Sequence, residues 1–496
     1  MKIVILILML LASRVYAKVK PPVSVLNEMQ LKTVSSEYPN ILLIMADDLN
    51  TALSGFGHPQ CKTPNLDKLA ARGTSFTHAY SQFPVCGPSR ASILSGQYPV
   101  KNRGHVEKGR VTLPLHFKNY GYWTGRVSKL FHMNVPGDIL IGGDGSDHIE
   151  SWTARFNIRA METYTPGKAT NVTVPKSVAK YPECLKMWKD QTIERNKVKQ
   201  MPGCHLWVVV ETDDKKGMLA DDMAADKAIE QLRKHADDEN PFFLAVGFVR
   251  PHYPYVAPQE QFMHYATEEM ILPNVPDNHF ANVPKQAQGA DLNIDDTDRK
   301  TIRRAYYSCL SYMDTQVGRV LDELDHLGLR ENTIVVFASD HGYLLGEHKL
   351  WKKLKLWEEA IRTPLIISVA GQKSRGVKCY QNVELLDIYP TITELAGLPP
   401  DSGAQGVSLV AQLDDPQAPV IRKDAMSQTS LGYCLRSDEW AYMWYPKKKG
   451  MAEGFMLYNL KKDQEQYNNL AANPAYAVKK QELHMRLQQR IHNAEN

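Results

Sequence analysis

The sequence is short of several things at once. After the apolar stretch Ile3 to Ala12 it has no apolar run long enough to span a bilayer, and that first stretch is itself too short for a comfortable span. Stable membrane insertion is therefore not expected. Charge of one sign is not in excess: the net charge is +4 over 496 residues, and Lys447 to Lys449 is the only tight basic run. A nucleic-acid binder would carry a stronger and more clustered surplus. There is no Walker sequence, no Gly-x-Ser-x-Gly elbow and no Cys-x-x-Cys pair. Phosphate-loop NTPases, serine hydrolases of the elbow type and dithiol redox proteins lose their usual marks. The glycine-rich Gly142 to His148 (GGDGSDH) lacks the spacing and closing Glu of an EF-hand loop and reads as a flexible loop. Cysteine is sparse at seven, an odd number, so at least one is unpaired within the chain.

What is present reads as an exported globular protein. The composition, 43% hydrophobic and 23% charged, is ordinary for a packed fold. Lys2, the apolar stretch and then Val15 and Ala17 form a signal-peptide pattern cut after Ala17, giving residues 1–17 as a signal. Export puts the thiols in an oxidising compartment. Cys184 and Cys204 could close a surface loop, Cys309 reads as a buried thiol, and Asn171-Val172-Thr173 is a glycosylation sequon in a eukaryotic source. The apolar runs Ile41–Ala46, Phe242–Val249, Thr333–Ala338 and Leu365–Val369 lack alternation, as strands covered on both faces do. Between them lies a helical stripe of Leu310, Met313, Val317, Leu321 and Leu324, ending before Gly328. Strands alternating with helices predict an α/β catalytic domain over 36–410 with a mostly parallel central sheet between helices. A Pro- and Gly-rich linker around Pro399 to Pro419 then leads to a smaller C-terminal α+β subdomain over 420–496, with strands in Gly432–Tyr445 and Gly454–Leu460 and a helix from Ala477.

Polar residues follow each buried run. Asp47 and Asp48 follow the first; Ser339, Asp340 and His341 follow TIVVFA; Arg250, Pro251 and His252 follow FFLAVGFV. A fourth candidate strand, Tyr122 to Val127, leads to Lys129 and His132. A single Asp at such a point commonly caps a helix. Four clusters at four strand ends predict one shared site, because ligands bind beyond the carboxyl ends of parallel strands. Three carboxylates in one pocket need a cation, and hard oxygen donors favour Ca²⁺ or Mg²⁺ over zinc. Arg90, Lys129 and Lys353 around it suit an anion with tetrahedral oxygens.

Cys86-Gly87-Pro88-Ser89-Arg90, followed by Leu94-Ser95-Gly96, resembles the signature of the type I, formylglycine-dependent sulfatases. The likeness extends to Asn40–Asp48, Thr63–Leu69, Ser339–His348, Trp351–Lys353, Arg362–Leu365 and Leu457–Ala471, nearly the whole mature chain. Ser95 stands where the family has Thr, Asn459 where Asp is commoner and Gln464 where Pro is commoner. Within the family, Pro241–Tyr255, Ser311–Leu324 and Lys129–His132 are similar to the iduronate-2-sulfatase branch, whose segments related polysaccharide sulfatases share.

The resemblance implies an alkaline-phosphatase-like fold and hydrolysis of an O-sulfate ester of a saccharide. It implies that a formylglycine-generating or sulfatase-maturing enzyme converts Cys86 to formylglycine. One Ca²⁺ would be held by Asp47, Asp48, residue 86, Asp340 and His341. Arg90 would steady the modified residue, Lys129, His252 and Lys353 would meet sulfate oxygens, and His132 would assist proton transfer. The implied location is periplasmic or extracellular, or lysosomal in a eukaryote. Two other readings stay open: a phosphate or phosphonate ester hydrolase of the same superfamily, and a silent sulfated-glycan-binding protein if Cys86 stays a thiol.

Overall fold

The run NILLIMAD forms strand β1 (Asn40–Asp47), and all eight of its residues are buried. Its apolar, unalternating sequence is matched by apolar neighbours on both sides. Description of the chain rests on a computed structural model covering residues 38–100, 105–173, 206–213, 218–289 and 294–495. The signal-peptide stretch and the Cys184 and Cys204 thiols lie outside these residues.

The strands following β1 are β2 (Thr74–Tyr80), β3 (Trp123–Ser128), β4 (Ala154–Phe156), β5 (Lys168–Thr173), β6 (Leu206–Thr212), β7 (Phe242–Pro251) and β8 (Tyr255–Pro258). Next come β9 (Thr333–Ser339), β10 (Leu344–Leu345), β11 (Trp351–Lys352), β12 (Arg362–Ser368), β13 (Val377–Cys379) and β14 (Val383–Glu384). The last four are β15 (Asp424–Gln428), β16 (Tyr433–Ser437), β17 (Trp440–Tyr445) and β18 (Gly454–Asn459). The helices used below are α1 (Pro64–Arg72), α2 (Cys86–Ser95), α3 (Ala220–Lys234), α4 (Asp296–His326) and α5 (Ala477–Glu495).

The large sheet has the order β13-β2-β12-β9-β1-β7-β3-β4, with β14 also on β2. The four adjacent strands β9, β1, β7 and β3 are mutually parallel. Their carboxyl ends therefore share one edge, as the four polar clusters require. The sheet is mixed rather than wholly parallel: β12, the LIISV run, lies antiparallel to both β9 and β2. An apolar run covered on both faces carries no mark of strand direction, which is why the sequence left this open. Helix α4 buries the predicted stripe of Leu310, Met313, Val317, Leu321 and Leu324. The Asp295 side chain caps its start, accepting from Asp298 N at 2.8 Å, and Gly328 takes a left-handed φ of 68° just past its end.

The C-terminal strands β15 to β18 form an antiparallel sheet of their own. Period-two alternation divides its side chains between two cores. Met426, Leu435, Tyr442 and Leu457 pack under Leu483, Leu487 and Ile491 of α5. Ala425, Cys434, Met443 and Met456 pack against Tyr80, Trp357 and Ile361. The stretch read as a linker is packed rather than loose: Val410–Asp414 is a short helix with Leu409 and Leu413 buried. Two leucines among Pro, Gly and Asp are enough to anchor it. The five described cysteines, Cys61, Cys86, Cys309, Cys379 and Cys434, are all buried free thiols. Among the described residues, no helix is long and apolar enough to cross a membrane.

Candidate active site

The first chemical group comes from the end of β1. Asp47 closes the strand, and Asp48 adopts a left-handed φ of 62°, a conformation Asp tolerates better than most residues. The sharp turn brings two successive carboxylates to one pocket. The Asp48 N–H donates to Asp340 Oδ1 (3.2 Å), and the Tyr306 hydroxyl donates to the Asp48 carbonyl (2.8 Å). From the end of β9 comes His341. Its Nδ1 lies 2.8 Å from the Gly342 carbonyl oxygen, so this nitrogen carries the proton. Nε2 is left with a lone pair, 3.3 Å from Asp48 Oδ1 and 3.4 Å from Cys86 Sγ. Cys86 opens helix α2, and its Sγ is 3.8 Å from Asp48 Oδ1.

Donor atoms of Asp47, Asp48, Cys86 and His341 all lie within 4.8 Å of one another, and all four residues are buried. Asp47 Oδ1 is buried without a hydrogen-bond partner. Two carboxylates, an imidazole lone pair and a side chain at position 86 make an anionic donor set, which suits a hard divalent cation.

Buried cations hold this negative charge in check. Arg90 is wholly buried: its Nε donates to Asp340 Oδ2 (2.8 Å), its guanidinium donates to the carbonyls of Ala46 (3.1 Å) and Leu130 (3.1 Å), and Nη2 lies 3.7 Å from Asp47 Oδ1. A third carbonyl, of Lys129, also accepts from it. The Lys129 ammonium pairs with Asp47 Oδ2. Lys353 Nζ reaches Asp48 Oδ1 (2.5 Å) and Cys86 Sγ (2.9 Å). Burial works against the charged form of Asp47, but the Lys129, Arg90 and Lys353 cations together hold its carboxyl well below the usual range. For Cys86 the balance is reversed. Burial and then the Asp47 charge push the thiol well above its ordinary value, and Lys129 and Lys353 only partly offset this. A thiol nucleophile needs the opposite environment. His252 Nδ1 bonds the Tyr253 carbonyl and its Nε2 faces Asp48 Oδ2 at 3.6 Å; burial takes it down to about 3. His132 sits over the start of α2, its ring 3.6 Å from where a Cβ on Gly87 would lie, and burial takes it down to about 4.

A strand-end cluster of this kind on a mixed α/β sheet invites comparison with known proteins. The sulfatase family model matches residues 39–398. The chain belongs to the sulfatase family. It is therefore a sulfuric ester hydrolase. The model for the C-terminal part of N-sulphoglucosamine sulphohydrolase matches residues 346–493 of the sulfatase. Mouse (Mus musculus) iduronate 2-sulfatase is 34% identical over 419 residues, 73% of this chain and 69% of that one. An ulvan-active sulfatase of Formosa agariphila is 28% identical over 93% of this chain and 83% of its own. Among solved structures, the phosphonate monoester hydrolase of Agrobacterium radiobacter aligns with a TM-score of 0.73 at 21% identity, over 92% of this chain and 96% of that one. A further structure, in complex with its substrate D-glucosamine-2-N,6-O-disulfate, gives 0.67 at 20% identity, over 92% of this chain and 98% of that one. These two show the alkaline-phosphatase-like fold.

The structure gathers the ten candidate site residues, Asp47, Asp48, Cys86, Arg90, Lys129, His132, His252, Asp340, His341 and Lys353, into this one region of the sulfatase, though not in one role. Asp340 stands beside the four-donor cluster rather than in it: Arg90 holds Oδ2, and the N–H groups of Asp48 and His341 (3.0 Å) hold Oδ1. Lys129 lies wholly buried against Asp47. The GGDGSDH stretch is tethered, since Ser146 bridges His132 and Arg126 pairs with Asp144 (3.1 Å) and Asp147 (2.9 Å).

Arg250, Ser89 and Ser339 were named in the sequence without a role, and each supports the site. Arg250 pairs with Glu162 (2.7 Å), both about 1% exposed, and donates to the carbonyls of His252 (3.2 Å) and Val256 (3.0 Å), so it fixes the turn bearing His252. The Ser89 hydroxyl donates to the Asp340 carbonyl, and the Ser339 hydroxyl, accepting from Leu49 N (3.0 Å), donates to the His341 carbonyl (3.0 Å). Arg250 carried a signal in its place at a strand end, whereas Glu162 opens a single 3₁₀ turn (Glu162–Tyr164) that no sequence pattern announces.

Proposed function

We propose that this sulfatase is exported and removes an O-sulfate ester from a saccharide, with Cys86 converted to formylglycine and Ca²⁺ held by Asp47, Asp48, residue 86 and His341, with Asp340 adjoining. The observation that carries the reading is the four-donor cluster with Lys353 bridging Asp48 and position 86. The saccharide substrate is inferred from the names of relatives, iduronate 2-sulfatase and ulvan-active sulfatase. When present, formylglycine hydrate supplies one hydroxyl to attack sulfur and a second to release sulfate, and Ca²⁺ supplies Lewis-acid polarisation.

The chain's own residues do the remaining work. Arg90 locks Asp340 and the carbonyls of Ala46 in β1 and of Lys129 just past β3, so the carboxylates are preorganised before substrate arrives. Lys353 and Lys129 place positive charge where sulfate oxygens would gather. With Nδ1 of His252 committed to Tyr253, Nε2 is the nitrogen left to pass a proton to the leaving alcohol. An arriving anionic ester favours protonation there. His132, beside Gly87, is placed to accept a proton at residue 86.

The test is peptide mass spectrometry across Ser81 to Arg90 of the native protein, with turnover of 4-nitrophenyl sulfate and of the matching phosphonate ester. An aldehyde mass at position 86 and preference for the sulfate are expected. Unmodified cysteine throughout, or preference for the phosphonate, would overturn the reading.

A further inference from the structure

Beside Lys353 stands a second lysine with a different surrounding. Lys352 and Leu354 each adopt a left-handed φ of 74°. Non-glycine residues rarely do so, and two of them flanking one residue fix where it points. Lys353 is thereby directed to Asp48 and Cys86, while Lys352 is turned onto an aromatic floor. Its ammonium lies 4.7 Å from the centre of the Trp207 ring and 5.7 Å from that of Tyr253. Trp207 is held in turn by Tyr255 (13° between planes, centroids 5.9 Å apart) and edge-on by Trp351 (6.0 Å). The floor adjoins the reacting groups, since Tyr253 follows His252, whose Nε2 faces Asp48.

The contrast with neighbouring cations is the informative point. Arg90, Lys129 and Lys353 each rest on a carboxylate. Among the described residues, Lys352 has no carboxylate within 4.0 Å and only ring faces for partners. Ring faces steady an ammonium without neutralising it, and Asp48, which acts on it only from beyond 4.0 Å, is already paired with Lys353. A like charge on the adjacent residue adds repulsion, and Lys352, Trp351 and Tyr253 remain partly exposed. An ammonium so placed, wetted on one side and walled by aromatic rings on the other, is ready to receive an anion.

We propose that Lys352, on the floor of Trp207 and Tyr253, binds a second anionic group of the saccharide, a carboxylate or a further sulfate, next to the ester that is cleaved. This rests on the sulfatase reading of the site and deepens it: the preferred substrate is at least a dianion. The partly exposed Tyr253 ring also offers a face to the sugar.

The experiment compares kcat/KM of the wild-type enzyme, Lys352→Met and Lys352→Arg on four esters. These are 4-nitrophenyl sulfate, a 2-O-sulfated uronic acid glycoside, its methyl ester, and a disulfated neutral sugar. In wild type the dianionic esters are preferred over 4-nitrophenyl sulfate. Lys352→Met reduces that preference roughly tenfold, chiefly through KM, and Lys352→Arg retains most of it. A preference lost on methylating the uronate assigns the carboxylate; one kept by the disulfated neutral sugar assigns sulfate. The inference is overturned if Lys352→Met lowers all rates in the same proportion or leaves the preference within twofold of wild type. Should Lys352→Met not fold, the wild-type salt dependence decides: a KM for the dianions that rises no more steeply with salt than that for 4-nitrophenyl sulfate overturns it. If wild type turns over no sulfate ester, the sulfatase reading itself has failed, and this inference with it.

Discussion

Gly247→Ala is a one-methyl change outside the site that should disable it. Gly247 lies in β7, opposite Ser128 of β3. A Cβ there would stand 1.9 Å from the Lys129 carbonyl oxygen, 2.4 Å from its carbon and 2.9 Å from the Lys129 nitrogen. Real Cβ contacts essentially never fall below 3.0 Å, and backbone cannot swing aside as a side-chain tip can. The β3–β7 spacing must therefore open by about 1 Å at this point. That carbonyl accepts from Arg90, and the same residue carries the ammonium on Asp47, so the shift reaches the carboxylates directly. Overpacking of this kind costs about 1–3 kcal/mol of stability. A misplacement near 1 Å in positioned groups costs about 100-fold in turnover. The assay is steady-state hydrolysis of 4-nitrophenyl sulfate on mature enzyme, with thermal unfolding in parallel. A fall in kcat of about two orders of magnitude is expected while the protein still folds. Turnover within threefold of wild type would refute the idea that the β3–β7 approach positions Arg90 and Lys129.

Three further outcomes are expected. Cys86→Ser should abolish multiple turnover but leave the unfolding temperature within a few degrees of wild type, checked by burst kinetics and calorimetry; wild-type turnover would exclude a modified residue 86. Arg90→Lys keeps the charge but loses the fork, leaving Asp340 and the strand-end carbonyls short of donors, and should cost roughly 1–3 kcal/mol in urea unfolding, as buried acceptors left without donors do. Glu358 is a pH handle: burial opposes its charge, but Arg436 (2.8 Å) and Arg362 outweigh it and bring the carboxyl to about 2. Its folded value lies below the unfolded one near 4.3, so its contribution, roughly 3 kcal/mol, is present above that pH and fades as pH falls towards 2. Glu358→Gln should flatten this part of the stability–pH curve, and an unchanged acid limb would show the pair to be irrelevant.

Much of the site was legible because strand-end chemistry is local in sequence. An apolar run followed by Asp47-Asp48 or Asp340-His341 states both the strand and what it delivers. The antiparallel sense of β12 was not legible, because a run buried on both faces reads alike in either direction. The packed state of residues 399–419 was missed because composition weighs many Pro, Gly and Asp against two anchoring leucines. The odd cysteine count marks out no particular thiol: Cys61, Cys86, Cys309, Cys379 and Cys434 are all unpaired. The Cys-x-Pro-Ser-Arg pattern carried the inference. Glu162 and the Trp207 floor depend on contacts between distant segments, and no local pattern announces them.

The partners of β1 also set a timetable for the nascent chain. Ile41 pairs with Phe243 on one side and with Ile334 on the other. Synthesis must pass both segments before the strand is enclosed, and loops of that length close slowly. Until then NILLIMAD is an open, apolar edge, a natural client for holdase chaperones and a site for aggregation during overexpression. The same delay has a use. Cys86 is 2% exposed once folded, and part of its cover, His341, lies beyond β9. Any enzyme acting on this side chain would have its opportunity while that late strand is still unmade, so slow closure of the sheet prolongs access to position 86.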